Sequence, residues 1–301
     1  MQIQVILNPA ADNGRARHFQ APILQAAAPL GGLEVVVAQR PGHAVDLARL
    51  AAEAGVGLVV AAGGDGTVHE VINGLYTSGS PQARLGVIPL GSGNDFAFSA
   101  GLAADWAAAV PRLFSGQSKW VDLARIEADN GRVRYFGNNF GVGFDARVVV
   151  QTIKMTRVHG FMKYFFAVLH SIAFYYHTPH LDIHFDDDAA AQRVLFLALG
   201  IGRRSGGGFL LTPDARQDDG LIDSCLVNPI GRLTMLQMLT QAVKGTHIHS
   251  RHVTMRQSRR ITIQLREPTP MHIDGEMFAY PEDNVRQVTI TSIPAALEVV
   301  G

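Results

Sequence analysis

The chain has 301 residues, 47% hydrophobic and 17% charged, enough apolar material for two folded domains and too much for a disordered segment. Lysine plus arginine and aspartate plus glutamate both number 26, so no overall field favours nucleic acid as a partner. The single cysteine, Cys225 in LIDSCLV, excludes a disulfide within the chain and a cysteine zinc site, and reads as a small buried side chain.

The opening MQIQVILNP lacks the basic and long apolar blocks of a secretion signal. The most apolar later segment, 161–176, carries Lys163 and His170 and is shorter than the ~20 residues of a membrane span. A soluble cytoplasmic protein is therefore expected. Up to residue 120, apolar runs at 3–7, 33–37, 58–62 and 85–88 alternate with alanine-rich helical stretches such as 43–54 and 67–76. Near-continuous apolar strands separated by helices predict a parallel sheet covered on both faces, an α/β N-terminal domain over 1–120. From 121 to 286 the runs shorten and alternate, as in VDLARIE, LDIHF, RVLFLALG, RRITIQL and MHIDGEM, with turn residues between them. This texture predicts a mostly antiparallel, β-sandwich-like C-terminal domain, interrupted by helices near 158–177 and 231–243. The chain end, 287–301, is expected to pack back onto the first domain.

Two glycine-rich turns carry the chemistry. AAGGDGTVHEV at 61–71 follows one apolar strand and opens a helix, and LGSGNDFAF at 90–98 does the same after the next strand. In a parallel sheet both lie at the carboxyl edge, where ligands bind. Helix N-termini there offer N–H groups to phosphate, and glycine lets the ligand approach the backbone. The first strand ends in NPAADNGRAR at 8–17, adding Asn8, Pro9 and two arginines to the same edge. No G-x-x-x-x-G-K-[ST] occurs, and GSGNDF lacks the third glycine of a dinucleotide fingerprint, which excludes a P-loop and disfavours hydride chemistry.

GGDGT at 63–67, NP at 8–9 and GSGNDFA at 91–97, together with TPDARQDDGLID at 212–223 and HIDGE at 272–276, resemble the diacylglycerol kinase and sphingosine kinase-like lipid kinases. GGDGT is shared with NAD kinases and phosphofructokinase-like enzymes; the GNDFA turn favours the lipid kinases. The resemblance implies an NAD kinase/phosphofructokinase-like first domain, with ATP in the cleft between the domains. It implies that Asn8, Pro9, Gly64, Gly66, Thr67, Gly91, Ser92 and Asn94 line the ATP site. Asp65 and Asp95 would hold the catalytic Mg²⁺, partly through water, and Glu70 would orient these groups or serve as a plain helix surface charge. The first turn departs from the family's usual pattern, and Arg15 or Arg17 is left to supply positive charge.

HIDGE is the catalytic candidate. By resemblance Asp274 is the general base that takes the proton from a lipid hydroxyl, assisted by Glu276; two residues apart on a strand, both would point to one face. The competing expectation is a D-G turn between strands. DDGLID resembles a stretch where some bacterial members bind a structural cation, here through Asp219 and the carbonyl of Leu221, although Arg216 occupies a position where an oxygen donor belongs. Residues 161–176 read as a core helix that in part flanks a slot for an acyl chain. The basic run 244–260 reads as a solvated face or a contact for anionic headgroups, and His247, His249 and His252 as surface residues. The expected activity is ATP-dependent phosphorylation of a lipid, diacylglycerol first, to give phosphatidic acid. The expected partner is a lipid substrate at the membrane surface, with peripheral contact at the inner face. Assembly is left open between monomer and homodimer. An NAD kinase-like small-molecule kinase and a non-catalytic nucleotide-binding regulator are the alternatives.

Overall fold

The run Leu58–Gly63 is buried along its whole length, so it has no polar face to give to water and takes a central position in a parallel sheet. The computed structural model describes residues 2–79, 83–155 and 160–301, and the chain divides into two units, Met1–Asp122 with Ala295–Gly301, and Leu123–Pro294. In the first unit the strand order is Glu34–Val37, Ile3–Leu7, Leu58–Gly63 and Arg84–Pro89, all parallel. Val299 and Val300 of the terminal strand add a parallel edge beside Leu85 and Gly86.

Helices His43–Glu53 and Asp65–Thr77 cover one face of this sheet and pack on each other. Their approach is set by Gly74: a Cβ there would lie 2.4 Å from the carbonyl oxygen of Val45 and 2.7 Å from Cβ of Ala48. On the other face Gln20–Ala27 and Trp106–Phe114 pack together around Ile23, Ala109, Val110 and Leu113. Asp105 caps the second of these by accepting the N–H of Ala108 at 2.9 Å.

The second unit holds two antiparallel sheets. One runs in the order Val133–Phe136, Ser118–Ala128, Gln287–Val300, Arg260–Leu265, His180–His184, Ala189–Arg193. The other runs Val253–Ser258, Ile222–Val227, Phe196–Gly200, Asn139–Gly143, Met271–Ile273, Glu276–Ala279. Period-two alternation divides the side chains of this second sheet. Phe140, Val142, Leu197, Leu199 and Leu226 enter the core between the sheets, while Ala198, Cys225 and Val227 face a second core under three helices. Those helices are Phe144–Lys154, Gly160–Phe174 and Arg232–Lys244. The last two answer to the helices expected near 158–177 and 231–243; residues 158 and 159 of the first expectation lie outside the described residues. Phe144–Lys154 was not anticipated, because FDARVVV is rich in β-branched residues and carries no helical apolar period.

Replacing Gly74 by alanine tests the helix contact. Helix propensity alone favours alanine by about 1 kcal/mol, yet the added methyl meets backbone, so Gly74→Ala should lower unfolding free energy by about 1–3 kcal/mol. Gly231→Ala, where a Cβ meets open space, should stay within about 0.5 kcal/mol in the same denaturant titration. Equal stability of the two variants would contradict the contact.

Candidate functional site

Strand Leu58–Gly63 ends in the turn that enters helix Asp65–Thr77, and strand Arg84–Pro89 ends in the turn that enters helix Asp95–Ser99. Because the strands are neighbours, the turns touch. Gly63 lies opposite Pro89, and the N–H of Leu90 donates to the carbonyl of Gly63 at 2.8 Å. A Cβ on Gly91 would sit 2.3 Å from Cα of Gly64, so a side chain there would force the two backbones apart. Asn94, at φ +54, folds the second turn onto itself: its Oδ1 accepts the N–H of Gly91 and its Nδ2 donates to the carbonyl of Gly91, both at 3.0 Å. Asp65 ties the turns together, its Oδ1 accepting the N–H of Phe96 at 3.1 Å. Asn8 joins them from the first strand, donating through Nδ2 to Oγ1 of Thr67 at 3.0 Å.

Asn8, Pro9, Gly64, Asp65, Gly66, Thr67, Gly91, Ser92, Asn94 and Asp95 thus lie on three turns at the carboxyl edge of one sheet. Two carboxylates, each the first residue of its helix, suit a magnesium ion, which takes few protein ligands and keeps water. The touching glycine turns present backbone that a phosphate can approach. Glu70 is not part of this group. Its carboxylate accepts the N–H groups of Gly42 and Ala44 at 2.9 and 3.0 Å, which ties down the start of helix His43–Glu53. Arg15 is exposed and lies 3.4 Å from Asp12, and Arg17 donates to the ring of His18 at 3.4 Å.

In the second unit Asp274 lies in a turn, and its partner is not where a strand would put it. Asp274 and Gly275 take φ +49 and +81 between the paired strands Met271–Ile273 and Glu276–Ala279, with Ile273 opposite Glu276. The expectation that Asp274 and Glu276 share one strand face fails: the D-G pair makes the hairpin turn, Asp274 is buried and Glu276 is exposed. The buried carboxylate is held by three successive amides. Oδ1 accepts the N–H groups of Asn138 and Asn139 at 3.0 Å each, and Oδ2 accepts that of Gly137 at 3.3 Å. This loop is itself fixed, since Asn138 donates to the carbonyl of Arg204 and Gln217 donates to that of Gly137, both at 2.8 Å. The loop escaped notice in the sequence because NNFGVG reads as an interrupted apolar run.

Other candidates resolve differently. Asp219 accepts the N–H of Leu221 at 3.0 Å, and Arg216 pairs with Asp218 at 3.0 Å. The Asp219 carboxylate thus closes its own turn, and the carbonyl of Leu221 lies two residues on in the same DDGLID stretch. Burial pushes the nearby Asp223 carboxyl up to about 6, against hydrogen bonds from Gln257 and with added repulsion from Asp219 and Asp214. His247 is buried and not a surface residue; its Nε2 is 3.1 Å from the carbonyl oxygen of Leu211, and burial lowers its pKa. Burial likewise raises the Cys225 thiol to about 12, which makes it inert. Arg256 of the basic run pairs with Asp188 and stacks on the ring of Phe185, so that run is not a uniformly open cationic face.

Under the three helices lies an apolar cavity of about 70 Å³, walled by Val148, Val168, Ile172, Met235 and Met238 among others, with Asp145, Tyr164 and His247 as its polar members. The sequence had marked only one of these helices for such a role.

Residues 2–126 match the family model described as diacylglycerol kinase catalytic domain, and residues 138–301 match that described as YegS C-terminal NAD kinase beta sandwich-like domain. A diacylglycerol kinase of Mycobacterium tuberculosis is 30% identical over 263 residues, 86% of this chain and 82% of that one. A protein of Xanthomonas euvesicatoria named "Probable lipid kinase YegS-like" is 31% identical over 274 residues, 89% and 86% of the two chains. The crystal structure of a diacylglycerol kinase from Bacillus anthracis superposes with a TM-score of 0.73 over 99% of this chain and 96% of that chain at 21% identity, a likeness of fold. With two family models matched over 2–126 and 138–301 and relatives of 30% and 31% identity over most of its length, the chain belongs to the diacylglycerol kinase and YegS-like lipid kinase family.

Proposed function

We propose that this kinase transfers the γ-phosphoryl group of ATP to a lipid hydroxyl, with diacylglycerol as acceptor and phosphatidic acid as product. The observation that carries this is the contact of Gly64 with Gly91 between Asp65 and Asp95. Phosphoryl transfer asks the protein for placement and charge neutralisation more than for covalent chemistry, and these turns supply both. Gly64, Gly66, Thr67, Gly91, Ser92 and Asn94, with Asn8 and Pro9 beside them, cradle the phosphates. A Mg²⁺ ion held by Asp65 and Asp95, partly through water, would offset charge on the transferred group. Asp274 accepts the proton of the lipid hydroxyl as its oxygen bonds to the γ-phosphorus and the bond to the ADP oxygen breaks. Glu276, exposed beside the turn, contributes a hydrogen bond to the acceptor.

An acyl chain occupies the apolar cavity, which the flexible side chains of Met235 and Met238 allow to widen. Contact with the bilayer is peripheral. No helix among the described residues is long and apolar enough to cross a membrane. Leu233 and Leu236 are 79% and 39% exposed on helix Arg232–Lys244, and Met162 and Phe166 are exposed on the helix packed against it. These exposed apolar side chains are what meet the lipid surface.

With γ-labelled ATP, label should pass to diacylglycerol and not to NAD, and Asp274→Asn should lower kcat by about 10²–10⁴. Label in NAD and none in any lipid would refute the acceptor class, and ATP binding without transfer would favour a regulator. Leu233→Asp should weaken sedimentation with anionic vesicles and leave phosphorylation of detergent-dispersed lipid unchanged; full vesicle binding by this variant would reject this contact.

A further inference from the structure

Asp145 takes no part in the chemistry above, yet it is a buried carboxylate on the wall of an apolar cavity, an expensive place for a charge without partners. Its two oxygens go in different directions. Oδ2 lies 2.8 Å from Nε2 of His272, itself 1% exposed, and Oδ1 accepts the hydroxyl of Tyr164 at 3.0 Å. His272 is on strand Met271–Ile273, two residues before Asp274. Tyr164 is on helix Gly160–Phe174 and Asp145 on helix Phe144–Lys154, both walls of the cavity. One carboxylate therefore joins two cavity walls to the strand that leads into Asp274.

The surrounding backbone is shaped for this junction. Gly141 faces His272 across the sheet, and a Cβ there would lie 2.2 Å from Oδ2 of Asp145 and 2.3 Å from Nε2 of His272. A side chain at 141 would split the pair. Gly206, at φ +61, brings its loop onto the ring of Tyr164, where a Cβ would lie 2.6 Å from the ring carbons. Apolar packing alone would be served as well by a nonpolar residue at 145, since replacing buried ionic groups by nonpolar ones is often neutral or stabilising.

We infer that Asp145 is a positioning residue of the acceptor site: through Tyr164 and His272 it holds the apolar cavity in register with Asp274, so that a chain seated in the cavity presents its hydroxyl to that carboxylate. This role rests on the lipid-kinase reading and adds to it that acceptor chain length is read through the Tyr164–Asp145–His272 junction. Asp145 touches neither nucleotide nor reacting hydroxyl; it acts by fixing distances, and small misplacements of a bound substrate are expensive in rate.

The test compares kcat and KM for a short-chain soluble diacylglycerol, such as the dihexanoyl form, with those for a long-chain one in mixed micelles. Wild type, Asp145→Asn and Tyr164→Phe are assayed, with ATP affinity and melting temperature measured alongside. Wild type should prefer the long chain. Both variants should reduce the long-to-short ratio of kcat/KM by about tenfold or more through kcat on the long chain, with ATP affinity unchanged. A ratio within about twofold of wild type would overturn the inference, even if overall activity or melting temperature falls, because a merely structural role lowers both substrates alike. Should Asp145→Asn fail to fold, Tyr164→Phe decides, since it removes one hydroxyl and keeps the ring. If wild type labels no lipid at all, the lipid-kinase reading fails and takes this inference with it; labelling with an unchanged ratio overturns the inference alone.

Discussion

A carboxylate cannot be buried without hydrogen-bond donors, and the second unit is organised around meeting that demand for Asp274. The donors are three successive backbone amides, at Gly137, Asn138 and Asn139, in the passage from strand Val133–Phe136 of one sheet to strand Asn139–Gly143 of the other. Backbone donors are fixed by the fold, so they hold the group without the rotamer freedom that a lysine or arginine would bring. The loop is fixed in turn by Asn138 and Gln217. A carboxylate has about four acceptor positions, and three are met by these amides. The arrangement makes Asp274 a group of defined orientation, which is what a positioned proton acceptor requires.

The first unit solves a different problem, close approach. Side chains keep backbones apart, and the turns at 63–67 and 91–95 meet because Gly64 and Gly91 have none. Asn94 accepts a left-handed backbone, as asparagine tolerates, and spends its amide on its own turn. Carboxylates then stand first in both helices, where the N-terminal dipole favours them. Neither unit needs an unusual residue; each needs common residues at positions the backbone dictates.

What could be seen in the sequence follows from how local each signal is. The parallel strands were legible because burial on both faces leaves continuous apolar runs, as in Leu58–Gly63. The glycine turns were legible because their residues are contiguous. Asp274 was legible as a residue but not in its setting: a strand-face argument and a D-G turn argument competed, and the turn prevailed while keeping the carboxylate buried. Glu70 was misjudged because its partners, Gly42 and Ala44, lie on a different helix start, 28 and 26 residues away. The junction of Asp145 with His272 spans 127 residues, and no local period marks either member. Helix Phe144–Lys154, which carries Asp145, was hidden by a β-branched run that local propensity assigns to strand.

The central claim is a division of labour, in which the glycine turns hold the nucleotide and Asp274 serves only the acceptor proton. Calorimetric titration of ATP with Mg²⁺ into two variants addresses it. Gly91→Ala, whose methyl would press on Gly64, should weaken ATP binding by about tenfold or more, and Asp274→Asn should bind within about twofold of wild type. Loss of ATP affinity in Asp274→Asn with Gly91→Ala unaffected would contradict the account.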